Sequence, residues 1–157
     1  MKTPIQFRHN GSDVAVFVDG GASLLTALRL GVGDTSAKFG CGQGTCGVCT
    51  VLIDGELHLA CITLAETVAG RAVETADGLK SGASLHPIQT AFMEHFAAQC
   101  GFCTPGMMMA AKALLDRNPS PTRAEVIDAI SGNICRCTGY EPIINAVLAA
   151  AGNRQRA

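Results

Sequence analysis

The chain has 157 residues, room for one domain or two small ones, and 48% of them are apolar, enough for a core. Only 16% are charged and the net charge is −1, spread as five basic and seven acidic groups in residues 1–76 and seven and six in residues 77–157. No long-range field exists to recruit nucleic acid or anionic lipid, no Trp and a single Tyr leave no base-stacking surface, and no apolar run approaches the ~18 residues of a membrane span.

Residues 5–8 and 14–18 read as strands on either side of the turn signal Asn10-Gly11. Residues 23–30 read as a short helix with Ser23 as N-cap. Residues 50–53 and 56–59 form an expected hairpin across Asp54-Gly55, and residues 73–75 a last short strand. This is a small mixed sheet with one helix over residues 1–76. Residues 77–85, with Gly78, Ser81, Gly82 and Ser84, read as the linker.

From residue 86 to 157 the apolar period changes from two to about 3.6. His86-Pro87 opens a helix with Ile88, Phe92 and Phe96 on one face. Thr104-Pro105 opens a second, with Thr104 as N-cap and Met107, Met108, Ala111, Leu114 and Leu115 as the buried stripe. Thr122 and Glu125 form a capping box for a third, which carries Val126, Ile127 and Ile130. Pro142 starts a fourth, with Ile143, Ile144, Val147 and Leu148, ending near Gly152. The fold class is therefore α+β, a sheet domain followed by a four-helix bundle.

Eight cysteines stand out: Cys41, Cys46, Cys49 and Cys61, then Cys100, Cys103, Cys135 and Cys137. A disulfide framework suits shorter, secreted chains. Zinc knuckles ask for paired C-x2-C units, which neither quartet shows. The first quartet has the plant-type ferredoxin spacing, C-x4-C-x2-C and a fourth thiol farther on, which holds a [2Fe–2S] cluster. Glycines 40, 42, 44 and 47 supply the tight turns and close backbone approach such a loop requires. Cys100 and Cys103 lie between the first two helices, Cys135 and Cys137 between the last two. Two packed helix pairs would bring both loops to one end of the bundle, where four thiolates fit a second cluster. His9, His58, His86 and His95 lie apart from the cysteines and read as ordinary polar side chains; no nucleophile motif is present.

Three stretches in order, Gly40-Cys41-Gly42-Gln43-Gly44-Thr45-Cys46-Gly47-Val48-Cys49, then Gln99-Cys100-Gly101-Phe102-Cys103-Thr104-Pro105-Gly106, then Gly132-Asn133-Ile134-Cys135-Arg136-Cys137-Thr138-Gly139-Tyr140, carry a resemblance. The chain resembles the iron–sulfur small subunits of the molybdenum hydroxylases, the xanthine oxidase family. It is similar to the separate small chains of carbon monoxide dehydrogenase, isoquinoline 1-oxidoreductase and related aldehyde dehydrogenases. Gln43, Val48 and Ala60 depart from the residues frequent there without touching the thiols.

The resemblance implies a β-grasp ferredoxin domain and a helical domain, each holding a [2Fe–2S] cluster. It implies electrons entering from a molybdenum–pterin cofactor held by a large subunit, through the cluster of Cys100, Cys103, Cys135 and Cys137. They leave through that of Cys41, Cys46, Cys49 and Cys61, towards FAD on a medium subunit or a cytochrome c subunit. It further implies that Gln99 and Cys137 lie against the pterin. The substrate of such a complex is an aldehyde, an N-heterocycle or CO. Another reading, a free-standing two-cluster electron carrier, would favour a charge imbalance for steering, which this chain lacks. With no leader pattern at residue 1, a cytoplasmic location is expected, or a periplasmic one by export with a signal-bearing partner.

Overall fold

The computed structural model describes residues 2–154; residue 1 of the expected sheet domain and residues 155–157 of the expected helical domain lie outside the described residues. Alternating apolar side chains pair β1 (Lys2–His9) with β2 (Ser12–Asp19), burying Ile5, Phe7, Val16 and Val18 on one face. Asn10 and Gly11 both take left-handed backbone (φ 48 and 84), the geometry that joins twisted antiparallel strands in two residues. β3 (Thr50–Ile53) and β4 (Glu56–Leu59) form the second hairpin, and β5 (Ala72–Glu74) starts one residue earlier than expected. The strand order is β2-β1-β5-β3-β4, with β5 parallel to β1 and antiparallel to β3.

The first helix departs from expectation. Ser23 does cap it, accepting from the Thr26 N–H at 3.2 Å, but regular α-helix (α1) covers only Leu24–Thr26. A wider π-helical segment follows over Ala27–Val32 and ends at Gly33, φ 86. The widened turn brings Asp34 under the sheet, where its carboxylate accepts from His9 Nε2 at 2.9 Å and from the Thr75 hydroxyl. Asn10 completes the network, donating to Thr75 Oγ1 and accepting from the Thr75 N–H. His9 is thus a part-buried polar side chain tied by a hydrogen bond to Asp34.

At the boundary with the expected linker, Ala76–Leu79 makes one 3-10 turn, and Leu79 buries itself against Leu52, Met109 and Ala113. α2 (Pro87–Glu94) is capped by His86, whose Nδ1 accepts from the Ile88 N–H while Gln89 accepts from the His86 N–H. Phe96, expected on the buried face, is 82% exposed. The helix has already ended, Phe96 turns left-handed at φ 52, and Ala97 takes the core position.

α3 (Thr104–Arg117) begins at the expected cap itself, which moves the N-cap back one residue to Cys103. Cys103 already has helical angles (φ −80, ψ −18), so Thr104 is the first helical residue and caps nothing. The expected single stripe is a helix buried on two sides. Met107, Ala111 and Leu115 join the bundle core; Met109 and Ala113 pack on Leu52 of the sheet; Met108 and Leu114 are half-buried. Each such burial contributes about 1.5–3 kcal/mol for a large side chain, so α3 joins sheet and bundle.

In α4 (Arg123–Ile130) the Thr122–Glu125 capping box forms, and Val126 and Ile130 are buried while Ile127 is 47% exposed. It faces a shallow apolar recess shared with Ile130, Tyr140 and Ile144. α5 (Glu141–Arg154) starts a residue before Pro142, which therefore sits inside its first turn, and continues past Gly152. α2 packs chiefly along α5, and α4 along α3 and α5.

Candidate iron–sulfur centres

The loop from Phe39 to Cys49 is shaped by its glycines. Gly42, Gly44 and Gly47 have φ of 66, 79 and 72, a region that side-chain-bearing residues disfavour. A Cβ on Gly40 would come within 2.8 Å of Cys46 Sγ, so the missing side chain makes room for the sulfur. The loop turns backbone donors onto its first thiol: the Gln43 and Thr45 N–H groups approach Cys41 Sγ at 3.5 and 3.3 Å. Donation from Thr45, Gln43 and Cys46 pulls the Cys41 thiol down to about 5. β3 and β4 then place Cys61 beside Cys49, with Ala60 N–H bonded to the Cys49 carbonyl. Burial pushes the Cys49 thiol up to about 11, helped by the neighbouring Cys61 and Cys46.

The second quartet draws on two loops. Cys137 Sγ lies 3.5 Å from Cys100 Sγ, both exposed, across 37 sequence positions. Cys103 is buried beside Cys135, and burial with that neighbour pushes its thiol up to about 12. Burial works against the Cys135 thiolate, but donation from Thr138 outweighs it and holds that thiol lowered. The bridging loop is braced by side chains. The Tyr140 hydroxyl accepts from the Cys135 N–H at 2.9 Å and donates to the Asn133 carbonyl at 3.2 Å. Gly139 and Tyr140 both turn left-handed, at φ 68 and 69.

Among the described residues no three His, Cys, Asp or Glu side chains are gathered to hold a single metal ion. Six of the eight thiols come in pairs instead: Cys49 with Cys61, Cys103 with Cys135, Cys100 with Cys137. Pairs are what a binuclear cluster needs, two thiolates to each iron. Each quartet also combines a donor-fed thiol held low with a buried thiol held high. Four thiolates so crowded repel one another, and a positively charged centre is what would ionise them all. The donor set fits a [2Fe–2S] cluster in both places.

The two loops also touch. Asn133, buried, donates from Nδ2 to the Gly47 carbonyl at 2.8 Å and to Thr50 Oγ1 at 3.2 Å. The Cys46 carbonyl accepts from the Ile134 N–H at 2.9 Å. Gly106 of α3 packs so closely that a Cβ there would overlap the Gly47 carbonyl. Asn133, Thr138 and Tyr140 were legible only as parts of a motif; their bracing role had no sequence signal, because it depends on partners 86 positions away or on a strained turn.

Two family models divide the chain: one described as a 2Fe-2S iron-sulfur cluster binding domain matches residues 7–74, and one described as a [2Fe-2S] binding domain matches residues 75–148. Over 151 residues the chain is 48% identical to the nicotine 6-hydroxylase small subunit of Paenarthrobacter nicotinovorans, covering 96% of this chain and 91% of that one. It is 42% identical over 146 residues to the nicotinate dehydrogenase small FeS subunit of Eubacterium barkeri, covering 93% of each. The chain belongs to the iron–sulfur small-subunit family of the molybdenum hydroxylases. A solved chain in quinoline 2-oxidoreductase from Pseudomonas putida 86 superposes with a TM-score of 0.95 at 45% identity, covering 99% of this chain and 98% of that one. The α+β order of ferredoxin-like and helical domains is that of the molybdenum hydroxylase small chains. Gln99 lies exposed next to the exposed Cys100, on the same surface segment as Phe96 and Phe102. No helix among the described residues is long and apolar enough to cross a membrane.

Proposed function

We propose that this chain relays electrons through two [2Fe–2S] clusters inside a molybdenum hydroxylase that oxidises an N-heterocycle or a related aldehyde. Cys41, Cys46, Cys49 and Cys61 hold one cluster; Cys100, Cys103, Cys135 and Cys137 hold the other. When bound, such a cluster takes up and gives back single electrons, and four thiolate ligands leave it no position for substrate. The direct contact between the two loops, Cys46 C=O to Ile134 N–H and Asn133 to Gly47, carries the reading. It holds two thiol quartets in one rigid unit, as a relay requires.

The chain's own residues do three things. Glycine-directed N–H groups and the Thr138 hydroxyl place positive dipoles on ligand sulfur, which favours added negative charge. Asn133 and Gly106 keep the loops at one separation. Gln99 and Cys137, both exposed, would lie against the pterin held by the large subunit, with exposed Met93, Phe96 and Phe102 near Gln99 in sequence. Electrons leave past the other loop, rimmed by exposed Phe39 and Ile62, to FAD on a medium subunit or to a cytochrome c subunit. The names of the relatives, small subunits of nicotine and nicotinate enzymes, support an N-heterocycle as substrate.

The test is the purified complex. It should contain about four irons in this chain, as two [2Fe–2S] sites require, and both clusters should bleach on adding an N-heterocycle without external reductant. Gln99→Ala should keep both clusters but slow that bleaching or weaken cofactor retention. One lost hydrogen bond of roughly 0.5–3 kcal/mol makes the effect partial. Colourless protein with stoichiometric zinc would overturn the reading; unchanged bleaching in Gln99→Ala would remove the pterin contact from it.

A further inference from the structure

Cys135 Sγ and Thr138 Oγ1 are 3.1 Å apart. Either atom could donate in the free thiol form, but a metal-bound thiolate carries no proton, so in the loaded site only the hydroxyl can. The hydroxyl is also oriented from behind. The Tyr140 N–H donates to Thr138 Oγ1 at 3.2 Å, occupying an oxygen lone pair and leaving the O–H free to point at sulfur. Tyr140 can reach back in this way because it turns left-handed at φ 69. Its ring hydroxyl meanwhile takes the Cys135 N–H, so that donor is engaged away from the sulfur. Cys41 in the other quartet receives backbone N–H groups from Gln43 and Thr45 on its sulfur, together with the Thr45 side chain.

We propose that Thr138, oriented by Tyr140, is a positioning residue that sets the reduction potential of the helical-domain cluster by donating its hydroxyl proton to Cys135 Sγ. The proposal rests on Cys135 being a cluster ligand. Reduction adds one electron and one negative charge to the cluster, and part of that charge falls on the ligand sulfurs. A hydroxyl aimed at sulfur stabilises the reduced form more than the oxidised one and raises the potential. Because a side chain supplies the bond, a single substitution removes it, taking with it the acceptor of the Tyr140 N–H.

The test is a redox titration of the assembled complex, following the electron paramagnetic resonance signals of the two reduced clusters separately. Cys135→Ala first identifies the helical-domain signal as the one it abolishes. In Thr138→Val that signal should persist with a midpoint shifted to lower potential, while the other cluster stays where it is. Thr138→Ser, which keeps the hydroxyl, should titrate close to the unsubstituted protein, and deuterium exchange should alter the hyperfine pattern in Thr138→Ser but less in Thr138→Val. If valine disrupts the loop, Thr138→Ala makes the same comparison with less bulk. An unmoved midpoint, or an equal shift in Thr138→Ser, overturns the proposal. A Cys135→Ala protein that keeps both signals overturns the ligand assignment beneath it.

Discussion

Three thiols of the first quartet sit in one loop, Cys41 to Cys49, whereas the second quartet joins Cys100 and Cys103 to Cys135 and Cys137 across two helix-connecting loops. The first loop owes its shape to its own glycines and directs its own N–H groups at Cys41. The second owes its shape to side chains, with Tyr140 bracing Asn133 and Cys135 and Thr138 reaching Cys135 Sγ. A local loop carries its geometry wherever it is placed. A site made of two loops exists only when the bundle has packed, so its stability is that of α3, α4 and α5 together.

The largest effects should come from the thiols themselves. Cys49→Ala and Cys103→Ala should each remove one cluster, about half the iron, leaving the other cluster's signal in place. Loss of both clusters from either variant would break the distinction and show one cooperative unit. Iron analysis with spectroscopy on the complex measures this.

The shared wall between the loops comes next. Gly106→Ala would push a methyl into the Gly47 carbonyl and should cost about 1–3 kcal/mol, the scale of overpacking. Gly132→Ala, where nothing lies within 4 Å, should be near neutral. Denaturant midpoints of the two variants compared with the parent decide; equal losses would mean the loops are not in close register.

Acid should act first on the sheet half. Burial would raise the Asp34 carboxyl, but hydrogen bonds from His9, Ser36 and Thr75 outweigh it and hold it well below its ordinary 3.8. A depressed carboxylate stabilises the fold above its unfolded value and loses that contribution as pH falls through the folded one. Stability should therefore decline below about pH 4, and Asp34→Asn should flatten that decline while lowering stability at neutral pH. Thermal unfolding against pH checks it; an unchanged acid slope in Asp34→Asn would assign the loss elsewhere.

The smallest effect belongs to a cap in the helical half. Thr122→Ala removes the acceptor for the Glu125 N–H and should cost about 1 kcal/mol. It should leave both cluster signals unchanged, since α4 is held by Val126 and Ile130 as well as by its cap.

Much of this fold was legible because it is local. The Asn10-Gly11 turn, the Asp54-Gly55 hairpin, the Ser23 cap and the Thr122–Glu125 box all rest on residues within four positions of one another. What was misread depended on distance. Phe96 fits the period of a helix that stops at Glu94, and Ile127 fits a stripe that the bundle leaves partly bare. Thr104 looked like a cap because Pro105 follows it, yet Cys103 had already entered the helix. His9 gave no sign of Asp34, 25 positions away, because only the π-helical turn after α1 brings the two together.

By itself the sequence determined the order of a ferredoxin-like half and a helical half, the eight thiols and their spacing, and the family. Spacing and glycine placement encode these directly, since a short loop has few ways to wrap. Only the tertiary structure decided how the halves meet. α3 is buried on both sides, Asn133 reaches Gly47 across 86 positions, and Thr138 Oγ1 comes within 3.1 Å of Cys135 Sγ. Those contacts follow from how whole surfaces pack, and a pattern of apolar and polar residues says which face is buried but not what it is buried against.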